Sequence, residues 1–358
     1  MNFLLPNTTQ GPLWPPSSLT DENGDFILVG NLVTEVAPGV NFLVPGQAAL
    51  ISKHTVPPLN AEGREDFTNP FGAVYEVIRF LDLSPGSSDL DMVLHTNSVG
   101  PAVGDFGGGP RIPREGETLY NLNSFVIRGT SCPERFPLDS QRETFFRDSL
   151  PLHRVPIPGF QGDQVAYDPN TGEPFDPMLR NGADCPPDGC SGEDNLHRFP
   201  HPDPIRLGDW LEADVRVQVR LSDYDREREA FTAATVTVNA RNLLPNSIYN
   251  IVVSRTATLI PSPIQKLTDL PVPTSVLITD DRGRAQRRFK MPNPFPDPVT
   301  DDAGTRVVGF GMTYRSDFTL AGHCGVVVGP GHLHVRGGTT AVVRGDHLGQ
   351  AEGVDGEV

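Results

Sequence analysis

The densest gathering of metal-ligating side chains lies late in the chain: His323 and Cys324, then His332 and His334 around Leu333, then His347. Four of the nine histidines fall within 25 positions. Side chains two apart on a strand share a face, so His332 and His334 would offer two imidazoles to one divalent transition metal such as Zn²⁺ or Cu²⁺. His323 or His347 would complete the set. The plainer reading is four histidines on the polar side of a sheet or in loops, since H-x-H alone is a short pattern.

Neighbouring metal patterns fit only in part. A cupin-like site follows its H-x-H with an acid, and Val335 to Thr340 contains none. A blue-copper loop needs a methionine beside its Cys and His, and none is present there. Calcium is the second candidate cofactor. Asp168, Asn170 and Asp176 place oxygen ligands around Gly172, and Asp163, Asp184, Asp188, Glu193 and Asp194 are near in sequence. The alternating acids of an EF-hand loop are missing, and such residues also make turns for local reasons. Cys185 and Cys190 flank Pro-Pro-Asp-Gly, a turn that brings their Cβ atoms toward bonding range. A disulfide ranks first for them. A zinc set with His197 and His201 ranks second, because the spacing from Cys190 to His197 is short, and free thiols rank third.

Arg282, Arg284, Arg287, Arg288 and Lys290 make a basic hairpin. Arg284, Arg288 and Lys290 fall on one strand face, which suits a sulfated glycan, a phosphate or an acidic patch of another copy. The competing reading is a sheet edge guarded by charge against unwanted pairing. The sequence holds no G-x-S-x-G elbow, no P-loop and no G-x-G-x-x-G between strand and helix. No catalytic residue is therefore assigned, and the reading leans away from an enzyme.

The 358 residues carry a formal net charge of −16, which disfavours nucleic acid as a partner of the whole chain. Of the 29 basic residues only Lys53, Lys266 and Lys290 are lysines. Arginine networks with carboxylates would explain that, and a codon bias explains it more simply. No apolar run reaches the roughly 18 residues of a membrane helix, so no membrane insertion is expected. The opening Met1 to Pro6 lacks the basic region of a signal peptide. Gly and Pro number 36 each without a Gly-X-Y period, which leaves a loop-rich all-β chain.

Alternation of apolar and polar residues marks the elements that must carry these groups. Val215, Val217 and Val219 interleave with Arg216, Gln218 and Arg220, and Val236 and Val238 with Thr235, Thr237 and Asn239. Strands are predicted over 25–32, 47–52, 73–81, 91–96 and 119–128, with 74–81 placed centrally in its sheet because it is almost wholly apolar apart from Glu76 and Arg79. A second series covers 214–221, 234–240, 248–254, 275–279, 285–290, 306–314, 325–328, 332–335 and 339–344. The spacing of turns is that of a sandwich. One helix is predicted over 141–150, where Ser140 and Glu143 form a capping box. The expected organisation is an extended arm (1–24), an N-terminal β domain with the short helix (25–150), an acidic Pro/Gly-rich linker or insertion (151–206), a C-terminal β-sandwich (207–345) and a mobile tail (346–358). Between Phe160 and Arg206 stand nine acids and three arginines.

Asn242-Leu243-Leu244-Pro245-Asn246 with Tyr249, then Thr279, Asp280, Gly283 and Ala285 in a T-D-x-x-G-x-A hairpin, resemble the turns of uncharacterised bacterial immunoglobulin-like β-sandwich modules. Tyr314 to Asp317 fits a related turn. The resemblance covers the last third and implies a surface or secreted setting, without catalytic residues. The resulting expectation is two antiparallel sandwich or jelly-roll-like domains in a non-enzymatic structural or binding protein of a cell surface or extracellular assembly. Its partners would be other copies of itself, or a surface glycan or protein. The alternative is a metal-binding protein or metalloenzyme using the late histidines.

Overall fold

The alternation read from 213–249 becomes a pair of long strands, and the rest of the molecule is arranged around them. The structure is a computed structural model; it describes residues 1–9, 17, 19–37, 40–54, 61, 76–96, 149–154, 201, 203–255, 276–297, 299, 305–316, 331–337 and 340–343. Among these the strands are β1 (Asn2–Leu5), β2 (Phe26–Ala37), β3 (Val40–Ile51), β4 (Val77–Phe80), β5 (His95–Thr96), β6 (Leu150–Pro151) and β7 (Asp214–Asp225). They continue as β8 (Ala230–Arg241), β9 (Ile248–Arg255), β10 (Val276–Ile278), β11 (Ala285–Pro292), β12 (Val307–Arg315), β13 (Gly331–Arg336) and β14 (Thr340–Val343). One α-helix, α1 (Leu207–Leu211), is present among the described residues. The all-β expectation is met.

β7 and β8 pair antiparallel with Val217 opposite Val238 and Val219 opposite Val236. β11 adds beyond β8 and β1 beyond β7, giving the order β1-β7-β8-β11. Val215, Val217 and Val219 of β7 and Ala234, Val236, Val238 and Ala240 of β8 are buried, and the residues between them are exposed or half-buried. Each such valine removed from water contributes about 1.5–3 kcal/mol, which fixes the register because a slip of one residue would expose them all.

A second sheet runs β10-β9-β12-β13. Its Tyr249, Ile251, Val253, Phe310 and Met312 belong to the same buried cluster as the inner face of the first sheet. The Phe3 ring of β1 lies 5.5 Å from Phe310 of β12, bridging the two. The third sheet, β14-β2-β3-β4, contains the long β2–β3 hairpin and one parallel pair, β14 with β2.

Residues 2–5, expected in an extended arm, pair with β7 of the same chain, and Asn7 bridges to Val335. Thr8 N–H donates to His334 O, and Thr9 N–H to Val29 O. Residues 92–95 are held between two later segments. Leu207 N–H donates to Met92 O, Leu94 N–H to Ile205 O and Leu152 N–H to Leu94 O. Ties of this kind join the segments on both sides of 151–206.

Some expectations are corrected. Among the described residues the stretch predicted to be central ends as β4 with a strand on one side only, and Ile78 and Phe80 are about half exposed at 50% and 45%. At those two positions apolar character does not reflect burial, whereas Leu81 is buried. Within 91–96 the strand is confined to His95–Thr96, since Ser87 caps a 3-10 turn over Ser88–Asp91 by accepting Asp89 N–H. The helix over 141–150 lies outside the described residues except at its end. There Leu150 pairs with Thr96 as a strand, because Pro151 favours extended backbone before it. The strands predicted at 119–128 and 325–328 also lie outside the described residues.

Candidate functional site

The chemically capable side chains that the structure does bring together meet inside the fold. They come from the segment ahead of α1, from α1 itself, and from β9, β12 and β13. In α1 the spacing of Leu207, Trp210 and Leu211 gives one apolar face. Arg206 N–H donates to the Asp209 carboxylate and Trp210 N–H to Arg206 O, closing the helix start. Trp210 is thereby held in the core with no exposure.

His334 stacks on Trp210 with ring centroids 3.7 Å apart. Its Nε2 lies 2.6 Å from Trp210 O and its Nδ1 3.0 Å from Tyr249 Oη. A carbonyl only accepts, so Nε2 carries the proton and Nδ1 accepts from the tyrosine. The Tyr249 oxygen in turn accepts Leu244 N–H at 3.0 Å. The chain of bonds is complete and directional. It leaves His334 no lone pair for a metal unless one of these bonds breaks.

A second array lies alongside. His201 Nε2 is 3.1 Å from Ser247 Oγ and 3.2 Å from Tyr314 Oη. His332 Nε2 lies 2.8 Å from Ser316 Oγ. A serine and histidine at such a distance have the spacing of an activated nucleophile. Both are fully buried, however, so no substrate reaches the oxygen in this arrangement. Burial pushes the His201 imidazole down to about 4, with His153 adding a smaller repulsion. Burial also takes His334 down to about 3, against the opposing hydrogen bond to Trp210 O. It drives the Tyr249 phenol upward. All three groups are neutral near pH 7.

The stretches that carried the family resemblance pack on this network. Thr279 Oγ1 donates to Leu244 O at 2.6 Å and accepts Ser247 N–H at 2.9 Å. Asp280 accepts Arg282 N–H and Arg284 N–H. Gly283 takes φ +67°, and a Cβ there would meet Leu243 O at 1.9 Å. Only glycine fits that approach.

His332 and His334 of β13 are both fully buried, each with a protein partner. His323 and His347 lie outside the described residues, as do Asp168, Asn170, Asp176, Cys185, Cys190 and His197. Among the described residues no three His, Cys, Asp or Glu side chains converge on a metal-sized space. No described helix is long and apolar enough to cross a membrane. Of the basic hairpin, Arg288 and Lys290 are exposed, while Arg284 pairs with Asp280 at 3.0 Å. Trp210, Ser247, Tyr314 and Ser316 were not foreseen as partners of the histidines. Only the apolar spacing around Trp210 hinted at its burial.

Comparison of the chain with protein-family models, curated proteins and solved structures finds no match.

Proposed function

We propose that the chain is a non-enzymatic structural or binding protein of a cell surface or extracellular assembly, built as a β-sandwich that associates with copies of itself. The observation that carries this reading is the edge strand β4. Among the described residues it ends its sheet, with Ile78 and Phe80 half open to water, the kind of edge that templates further pairing. Two further features support it. The Tyr249 hydroxyl accepts the amide five residues upstream, as in the tyrosine corner of Greek-key sandwiches. The Ser–His and Tyr–His groups are used up in internal hydrogen bonds that tie strands together.

Sedimentation velocity over a wide concentration range tests the proposal. The expected result is reversible self-association that Ile78→Glu removes without lowering the melting temperature. A monomer at all concentrations, or an oligomer indifferent to Ile78→Glu, would overturn the assembly role.

A further inference from the structure

The geometry points to the outward face of the β1-β7-β8-β11 sheet as a binding platform for an acidic polysaccharide. This rests on the binding half of the function proposed above and concerns a different surface from β4. The register aligns side chains in rows across the strands. Arg216 lies opposite Asn239 and Asn239 opposite Gln286; Gln218, Thr237 and Arg288 form the next row, and Arg220, Thr235 and Lys290 the third. Arg216, Gln218, Arg220, Asn239, Gln286, Arg288 and Lys290 are exposed, while Thr235 and Thr237 between them are half-buried.

Charge within these rows is opposite to that of the molecule. Arg216, Arg220, Arg241, Arg288 and Lys290 stand against the single acid Asp214, on a chain of net charge −16; the hairpin end beyond them adds Asp223, Asp225, Glu227 and Glu229 beside Arg226 and Arg228. Among the described residues only Arg216 of the five has an acid within ion-pair range, Asp214 at 3.7 Å. Strand spacing sets Arg220 and Lys290 about 10 Å apart at the backbone, and Arg288 and Lys290 about 7 Å apart. An occupant must therefore bear repeated, spaced negative charges.

Two features select a glycan over a bare polyanion or a second copy. Between the cations runs a central stripe of hydroxyl and amide groups, Thr235, Thr237 and Asn239, the last joined to Gln286 at 2.7 Å. Such groups match sugar hydroxyls. At the hairpin end, beyond Asp223 with its positive φ, Tyr224 lies opposite Phe231, 54% and 40% exposed, with ring centroids 5.2 Å apart. An exposed aromatic pair at the end of the rows offers an apolar shelf for the C–H face of a sugar ring. A uronic-acid chain supplies the carboxylate, the hydroxyls and the apolar ring face together.

The test uses the full chain with polygalacturonate, inorganic polyphosphate and neutral dextran as probes, at low salt where surface charge is least screened. The expected result is saturable binding of polygalacturonate and none of dextran. The triple variant Arg220→Gln, Arg288→Gln, Lys290→Gln should lose about tenfold or more in affinity, consistent with removal of charge-assisted bonds. Tyr224→Ala should weaken polygalacturonate and leave polyphosphate binding unchanged. These residues are exposed, so an unaltered melting temperature will show that the variants fold. Polygalacturonate binding no better than dextran, or full affinity in the triple variant, would overturn the proposal. So would polyphosphate binding as tight as polygalacturonate with Tyr224→Ala without effect. A triple variant whose sedimentation changes would make the occupant a second copy and also overturn it. Failure of the self-association reading is separate, because it is read from Ile78→Glu in the absence of glycan.

Discussion

Individual positions in the turns and the buried network carry the sharpest expectations. Gly283 combines a positive φ with a backbone oxygen where a Cβ would sit. Gly283→Ala should therefore cost about 3 kcal/mol or more, read from the shift in denaturant midpoint at constant slope. Tyr249→Phe would strand both Leu244 N–H and His334 Nδ1 in the core, and unsatisfied buried groups cost about 1–3 kcal/mol each. The histidines add a pH signature. Their folded pKa values lie below the unfolded value of about 6.5, so the unfolded chain binds more protons as pH falls. Stability is complete above about 6.5 and declines below it, down to about 4 for His201 and about 3 for His334. The slope per histidine is about 1.4 kcal/mol per pH unit, and His201→Gln should flatten the curve between pH 6.5 and 4. An equal slope in that variant would show that His201 is not the titrating group. The Gly283 turn was visible in the sequence as T-D-x-x-G-x-A. The partners of His201 and His334 were not, since contacts between residues over forty positions apart leave no local pattern.

At the scale of elements, alternation was a faithful guide wherever one face of a strand is dry and the other wet. β7, β8 and β11 contain their expected spans for that reason, although β7 and β8 each run four residues further into their hairpin. β4, placed centrally from its sequence, has a neighbour on one side only among the described residues, and a near-continuous apolar run reads the same in either position. β1 was legible only as an extended segment. Its four residues alone do not reveal that Phe3 and Leu5 face Val217 and Val215 across a ladder. Removing residues 1–5 would take Leu5 out of the core and bare the flank of β7. We expect a loss of several kcal/mol together with concentration-dependent aggregation, since an uncovered central strand recruits other chains. Chemical denaturation and light scattering on the shortened chain check both effects. A chain as stable and soluble as the full one would mean that β1 is only loosely attached.

Taken whole, the molecule owes its architecture to pairings between distant parts of the sequence. Val342 beside Val33 and Phe3 opposite Val217 each join strands separated by more than a typical domain length. Composition and periodicity reported the amount of sheet and were silent about these partners. Such wiring also dictates timing. Loop closure must precede the reward of non-local contacts, so chains of this topology fold slowly. During synthesis, β2 lacks its parallel neighbour until β14 emerges, and β1 waits for β7. The nascent chain therefore spends a long interval with open strand flanks, a period in which holding chaperones compete with misassembly. Refolding from denaturant should be slow, and dilution or a holdase should raise its yield more than added salt does.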